Sequence, residues 1–393
     1  MQPKKSSKNN HFYLIFPNIF GFKGGIQVYS AFLLKALQDL YPDAKYDVFL
    51  KYDRRNSSNQ VQNLQFFPKT RFHYFGHLPR FLQTVILAIQ IIIRGVLQRP
   101  TLVLSTHINY AIACYCLKRI SGVPYWFFAH GIEVWSTQSI THKLALQGAD
   151  KIVAVSDYTR KQLLKEQRVE NEKVALLFNT FDASQFQIGS KQKYLLKRYN
   201  LTPSQPVILT ITRLGRMAKY KGYDQILHAL VKMRQHIPNV HYILAGKGDD
   251  RPRIEALVTR LNLQDCVTLP GFLTDEELCD HYNLCDVFAM PSQGEGFGIV
   301  FLEALACGKP VLAGNQDGSV QPLAGGELGC LVNPNNVDEI ANKLIKIVQG
   351  NYSNPTVYQS EYLRHRTIES FDLTQFKTKL AELLEAVSQE MSS

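Results

Sequence analysis

Glu295 and Glu303 frame the stretch Pro291-Ser-Gln-Gly-Glu-Gly-Phe-Gly-Ile-Val-Phe-Leu-Glu303. Glycines at 294, 296 and 298 let a backbone come close to a ligand. A strand is expected to end at Met290 and a helix to start near Gly298. Such a helix start offers unpaired N–H groups and the positive end of a dipole, a place for phosphate. A carboxylate would be repelled there, so both glutamates are expected to face neutral hydroxyls, which a sugar supplies in pairs. Either glutamate alone would read equally well as a solvated surface charge. Upstream, Arg213 stands just beyond the apolar run Val207-Ile-Leu-Thr-Ile, and Lys221-Gly222 closes a basic loop. Two cations on one loop suit a diphosphate whose leaving charge must be neutralised. A surface ion pair is the other reading of Arg213, and Arg216 and Lys219 are weaker candidates expected in solvent.

The first half offers two further features. Gly24-Gly25 opens a helix after the first strand and could bring N–H groups to phosphate, although a Gly-Gly pair says little by itself. His130, followed by Gly131-Ile-Glu133, ends an apolar strand and either bonds a sugar hydroxyl or is structural. Missing motifs narrow the chemistry. No Gly-x-Gly-x-x-Gly follows the first strand of either half, and Gly308-Lys309 is followed by Pro310 without the first glycine of a P-loop. No Asp-x-Asp occurs, so neither a metal nor a cofactor is expected and cationic side chains are left to stabilise the leaving charge.

The elements that must position these residues alternate strand and helix, the pattern of parallel sheets covered on both faces. Strands are expected at Phe12–Phe16, Tyr46–Leu50, Arg71–Phe75, Leu102–Ser105, Tyr125–Ala129 and Ile152–Val155. A second series runs through Val207–Thr212, His241–Ala245, Cys266–Leu269, Val287–Met290 and Val311–Ala313. The polar segment Asn179–Lys193 reads as a linker. The resulting division is a disordered tail over 1–10, a Rossmann-like domain over 11–185, a second over 195–370, and a closing helix over 371–393 that returns to the first. Two doubly wound domains facing one another would form a ligand cleft at the carboxyl ends of their strands, and hinge motion would close it.

The 393 residues are 45% hydrophobic and 20% charged, as in ordinary globular chains. Seven cysteines without metal or disulfide spacing suit a reducing cytoplasm. The polar, basic start reads as a tail, not a signal peptide. Charge is uneven: residues 1–190 carry 23 Lys and Arg against 11 Asp and Glu, whereas residues 191–393 carry 21 against 22. The first half is therefore expected to meet something anionic, a membrane surface or phosphorylated lipid before nucleic acid, or simply solvent. The apolar run Phe81–Ile93 falls short of the roughly 20 residues of a membrane span. It is expected to be a largely buried helix, with insertion into a membrane interface as the alternative.

The Gly-Glu-Gly-Phe-Gly loop with Glu303, the Arg-Leu and the Lys-Gly together resemble the retaining family-4 glycosyltransferases of the GT-B fold, from Gly24-Gly25 to the closing helix. That resemblance implies that Arg213 and Lys221 clamp a donor diphosphate. It also implies that Glu295 and the N–H groups of Gly296, Phe297 and Gly298 hold sugar hydroxyls, with Ile299 beside them and Glu303 on the ribose. Gly271-Phe272-Leu273 would read the base, and Gly246-Lys247 and Asn315–Ser319 would be donor-side turns. His130 would lie near the transferring sugar. Many members place the lysine five residues after the arginine; here it lies eight after, which leaves Lys219 as an alternative clamp. The implied activity is metal-independent transfer of a hexose from a UDP- or GDP-linked donor to a saccharide or lipid-linked acceptor in polysaccharide, glycolipid or cell-envelope synthesis. From the cysteines and the charge, the expected location is the cytoplasm, either free or at the inner face of the cell membrane, and no nucleic-acid partner is expected. A GT-B epimerase or phosphorylase, or a non-catalytic nucleotide-sugar-binding protein, is the alternative.

Overall fold

A computed structural model describes residues 10–21, 24–55 and 69–390. The expected tail over 1–10 lies almost wholly outside them. The chain divides into two compact units: the first is formed by 1–180 with 373–393, the second by Phe181–Asp372.

In the first unit the strands are β1 (His11–Phe16), β2 (Lys45–Leu50), β3 (Thr70–Tyr74), β4 (Leu102–Ser105), β5 (Tyr125–Ala129), β6 (Lys151–Ala154) and β7 (Val174–Leu176). They form one parallel sheet in the order β3-β2-β1-β4-β5-β6-β7. Strand β5 shows why: all of Tyr-Trp-Phe-Phe-Ala is buried, as a strand covered on both faces requires. The helix Leu373–Glu390 belongs to this unit and lies against the helix Gly25–Leu40. Phe376 meets the edge of Tyr29 at 5.5 Å between ring centres, and Lys377 pairs with Asp39 at 3.1 Å.

The second unit holds β8 (Val207–Ile211), β9 (His241–Ala245), β10 (Val267–Gly271), β11 (Val287–Met290), β12 (Val311–Gly314) and β13 (Cys330–Val332). Their order is β10-β9-β8-β11-β12-β13, again parallel. In both sheets the strand order reverses beside the first strand, between β1 and β4 and between β8 and β11. Crevices at the carboxyl ends of strands flanking such a reversal are where open α/β sheets bind ligands.

Three expectations need correcting. The three-residue strands β7 and β13 were not foreseen; each completes an edge and is too short to stand out as an apolar run. The run Phe81–Ile93 belongs to a longer helix, Arg80–Gln98, and that helix is not largely buried. Only Gln83, Leu87, Ile91 and Gly95 are buried, a row at four-residue spacing. The opposite face is in solvent, because a single row suffices to pack against the helix Ile108–Ser121. A Cβ at Gly95 would come within 2.4 Å of Leu117, so the glycine permits that close approach.

Candidate functional site

The glycine-rich loop follows β11 at the reversal point of the second sheet, and the helix Ile299–Ala306 begins behind it. Gly298 caps that helix at φ +91°, a left-handed conformation that glycine adopts freely. The Phe301 N–H turns back to the Gly298 carbonyl at 3.1 Å, and an α-helix leaves its first-turn N–H groups without the usual i−4 partners. One buried carboxylate fixes this loop. Asp317, 1% exposed, accepts from the Glu295 N–H at 2.7 Å, the Ser292 hydroxyl at 2.7 Å and the Ser319 N–H at 2.9 Å. The Gly318 N–H in turn donates to the Glu295 carbonyl at 2.8 Å. A Cβ on Gly318 would lie 2.1 Å from the Gly296 carbonyl oxygen, so the two loops touch backbone to backbone. Burial pushes the Asp317 carboxyl upward in pKa, against the pull of its donors.

Glu295, positioned by that scaffold, forms an ion pair with Lys221. Both side chains are mostly buried, and the Lys221 ammonium also lies 5.3 Å from the Tyr220 ring centre. Burial alone would lower the lysine pKa; the Glu295 carboxylate overrides it, and the net shift is upward. The 3₁₀ turn Arg216–Lys221 carries this lysine to the loop, where the Gln293 N–H donates to the Tyr220 carbonyl at 2.8 Å. Lys219 and Arg216 are exposed, as expected. Arg213, at the carboxyl end of β8, is exposed and has no side-chain partner among the described residues. The connection after β8, a strand beside the reversal, thus carries both candidate cations, Lys221 paired with a carboxylate and Arg213 exposed.

Glu303 sits in the helix behind the loop and accepts from the Tyr282 hydroxyl at 2.6 Å. Gly246 and Gly271 end neighbouring strands and are joined by an N–H···O bond of 2.7 Å, and the Lys247 ammonium lies 5.5 Å from the Phe272 ring centre. Phe297, Ile299 and Leu273 are buried as side chains, so only their backbone could meet a ligand. Phe297 instead packs edge-on against Phe371 at 5.6 Å. Sequence reasoning missed Ser292, Tyr282 and Tyr220, and included Asp317 only as part of a loop. Their roles depend on partners far along the chain, so no local pattern betrays them. Among the described residues no cluster of His, Cys, Asp and Glu could hold a metal ion.

In the first unit, Gly24 is the extended cap of the helix Gly25–Leu40. A Cβ on Gly25 would meet nothing within 4 Å, so packing does not demand glycine there. His130 follows β5. Its backbone N–H and that of Gly131 both donate to Glu133, at 2.6 and 3.1 Å, which fixes the turn. Its ring meets the edge of Tyr29 at 4.8 Å, and its Nε2 is buried without a partner among the described residues. Burial, with His107 nearby, lowers the His130 pKa to about 3, so the imidazole is neutral at physiological pH.

Residues 196–366 match the family model "Glycosyl transferases group 1" and residues 23–185 match "Glycosyltransferase Family 4", so that the two stretches span most of the chain. The chain is 30% identical over 231 residues to the GDP-mannose-dependent alpha-(1-6)-phosphatidylinositol monomannoside mannosyltransferase of Mycobacterium tuberculosis, covering 56% of this chain and 59% of that one. It is 25% identical over 250 residues to the alpha-D-kanosaminyltransferase of Streptomyces kanamyceticus, covering 60% and 64%. The match therefore spans less than two thirds of either relative. Among solved structures, Anabaena HepE in complex with UDP and glucose aligns over 96% of this chain and 100% of its own with a TM-score of 0.77 at 20% identity. Sucrose-phosphate synthase from Thermosynechococcus elongatus aligns over 97% and 100% with a TM-score of 0.78 at 21% identity. With two parallel doubly wound sheets and both matching models, the chain belongs to the family-4 glycosyltransferases and has the GT-B fold.

Proposed function

We propose that the chain transfers a hexosyl group, with retention at the anomeric carbon and without a metal ion, from a uridine or guanosine diphosphate sugar to a saccharide or lipid-linked acceptor in envelope, glycolipid or polysaccharide synthesis. The observation that carries the reading is the Lys221–Glu295 pair held by Asp317 at the start of the helix Ile299–Ala306. The bond between the anomeric carbon and the leaving phosphate oxygen breaks, and charge grows on the diphosphate. Arg213, Lys221 and the helix start offset that charge, an effect of roughly 10²–10³ in rate per donor in comparable sites. The acceptor oxygen bonds to the same face of the anomeric carbon while its proton passes to the leaving phosphate. Glu295 holds sugar hydroxyls, Glu303 the ribose, and the neutral His130 offers a hydrogen bond to a hydroxyl.

The relatives support both candidate bases. The mycobacterial enzyme is named for GDP-mannose, and HepE was crystallised with UDP. The basic first half supports work at the cytoplasmic face of an anionic membrane. A melting-temperature screen of UDP, GDP and their sugars, run in EDTA, tests the reading, because a ligand that binds the folded state raises the midpoint by mass action. Stabilisation by one diphosphate series, together with a new glycosidic product, is expected. Stabilisation with only an epimerised donor, or with a sugar 1-phosphate as product, would replace transfer by the alternative chemistries.

A further inference from the structure

The helix Arg80–Gln98 turns an apolar ridge to solvent. Phe81, Val85, Ile89, Ile93 and Leu97, at strict four-residue spacing, are between 47% and 78% exposed. On the opposite side Leu87 and Ile91 belong to the core of the first unit. The usual order is inverted: the buried row includes Gln83 and Gly95, and the solvent row is wholly apolar. Five large apolar side chains in one line form a contiguous patch of the kind that marks an interaction surface. The helix is long and apolar enough to cross a bilayer, but its core row ties it to the folded unit, so it can only lie along a surface.

The charges around it say which surface. From Arg54 to Ile132 the chain has nine Lys and Arg and no Asp or Glu. Arg80 starts the helix, Arg94 lies in its last turns and Arg99 caps it. The flank of the helix that carries Gln90 and Arg94 also forms one wall of a recess of about 880 Å³, with Arg55, His73, Tyr74 and His77 among its other lining groups. An apolar ridge rimmed by cations, with no acidic residue over that whole stretch, complements an anionic bilayer: acyl chains for the ridge, phosphates for the rim.

We propose that the ridge Phe81–Leu97 inserts into the interface of an anionic membrane and holds the first unit there, with Arg80, Arg94 and Arg99 on the headgroups. This deepens the reading of the chain as peripheral at such a membrane. The test is flotation of the full chain with vesicles of equal parts phosphatidylglycerol and phosphatidylcholine, against phosphatidylcholine alone. The wild type floats with the anionic vesicles and stays bound at salt concentrations that screen surface charge beyond about 3 Å. Val85→Gln/Ile89→Gln/Ile93→Gln, at exposed positions and with charge unchanged, reduces the bound fraction at least tenfold at high salt. It keeps the wild-type melting temperature and the wild-type response to nucleotide diphosphates. Ile89→Trp, as an independent probe, shifts its fluorescence to the blue on anionic vesicles. Equal flotation of the triple variant, or a salt-labile wild type, overturns the proposal by assigning binding to charge alone. A wild-type dimer in sedimentation that the triple variant abolishes also overturns it, because the ridge is then covered by a second copy. Loss of the nucleotide response in the wild type would instead count against the transferase reading and leave the ridge untouched.

Discussion

The two units place their candidate residues in contrasting settings. In the second unit most of the candidate charged groups are braced: Asp317 ties two loops, Glu295 answers Lys221, and Tyr282 holds Glu303, while Arg213 stands exposed. Among the described residues of the first unit, a Cβ on Gly25 would meet nothing within 4 Å, His130 carries a neutral ring with an unpartnered nitrogen, and an apolar ridge meets solvent. A group that must take up diphosphate charge in the transition state has to be held in place beforehand, and scaffolding is the form this takes.

The comparison breaks most sharply where charge is removed. Arg213→Ala and Lys221→Ala should each lower transfer by about 10²–10³, measured as turnover with a saturating acceptor. Near-normal turnover in both would remove the assigned clamp. Asp317→Ala should come next, leaving the Ser292 hydroxyl and two N–H groups without their acceptor. A loss of about 3 kcal/mol is expected, read as a melting midpoint roughly 5–10 °C lower, with weaker nucleotide binding. An unchanged midpoint would mean that the loops hold without it.

Glycine exchanges sharpen the contrast. Gly318→Ala puts a methyl against the Gly296 carbonyl and should destabilise by about 1–3 kcal/mol. Gly25→Ala meets nothing among the described residues and should leave the unfolding free energy within about 0.5 kcal/mol of wild type, so any lost turnover reports a ligand approaching that backbone. A further contrast is that of pH. Burial lowers His130 to about 3 and His107 to about 4, below the ordinary histidine value. The unfolded chain therefore takes up protons first. This contribution to stability is fully present above the unfolded histidine pKa of about 6.5 and is lost as pH falls toward the folded values. His130→Gln should flatten part of that decline in urea unfolding between pH 6.5 and 4, and an unaltered slope would count against a buried neutral imidazole.

Much of this was legible because strands such as Tyr125–Ala129 are unbroken apolar runs and the loop after Met290 concentrates glycine and glutamate in one place. What escaped depended on distance or on an inverted pattern. The anchoring by Asp317 needs a partner 22 residues away. The helix Arg80–Gln98 is apolar on both faces, so its periodicity does not show which side is covered, and the glycine that allows close packing looks like a breaker. Strands β7 and β13 are set by pairing to a neighbour, with little local signal of their own.

Titration of the protein with UDP and GDP by calorimetry, in EDTA and then with added magnesium, tests the central claim most directly. The account predicts that one of the two binds equally well in both conditions, and that Lys221→Ala loses this binding while remaining folded. Binding that appears only with the divalent ion, or that survives intact in Lys221→Ala, would contradict it.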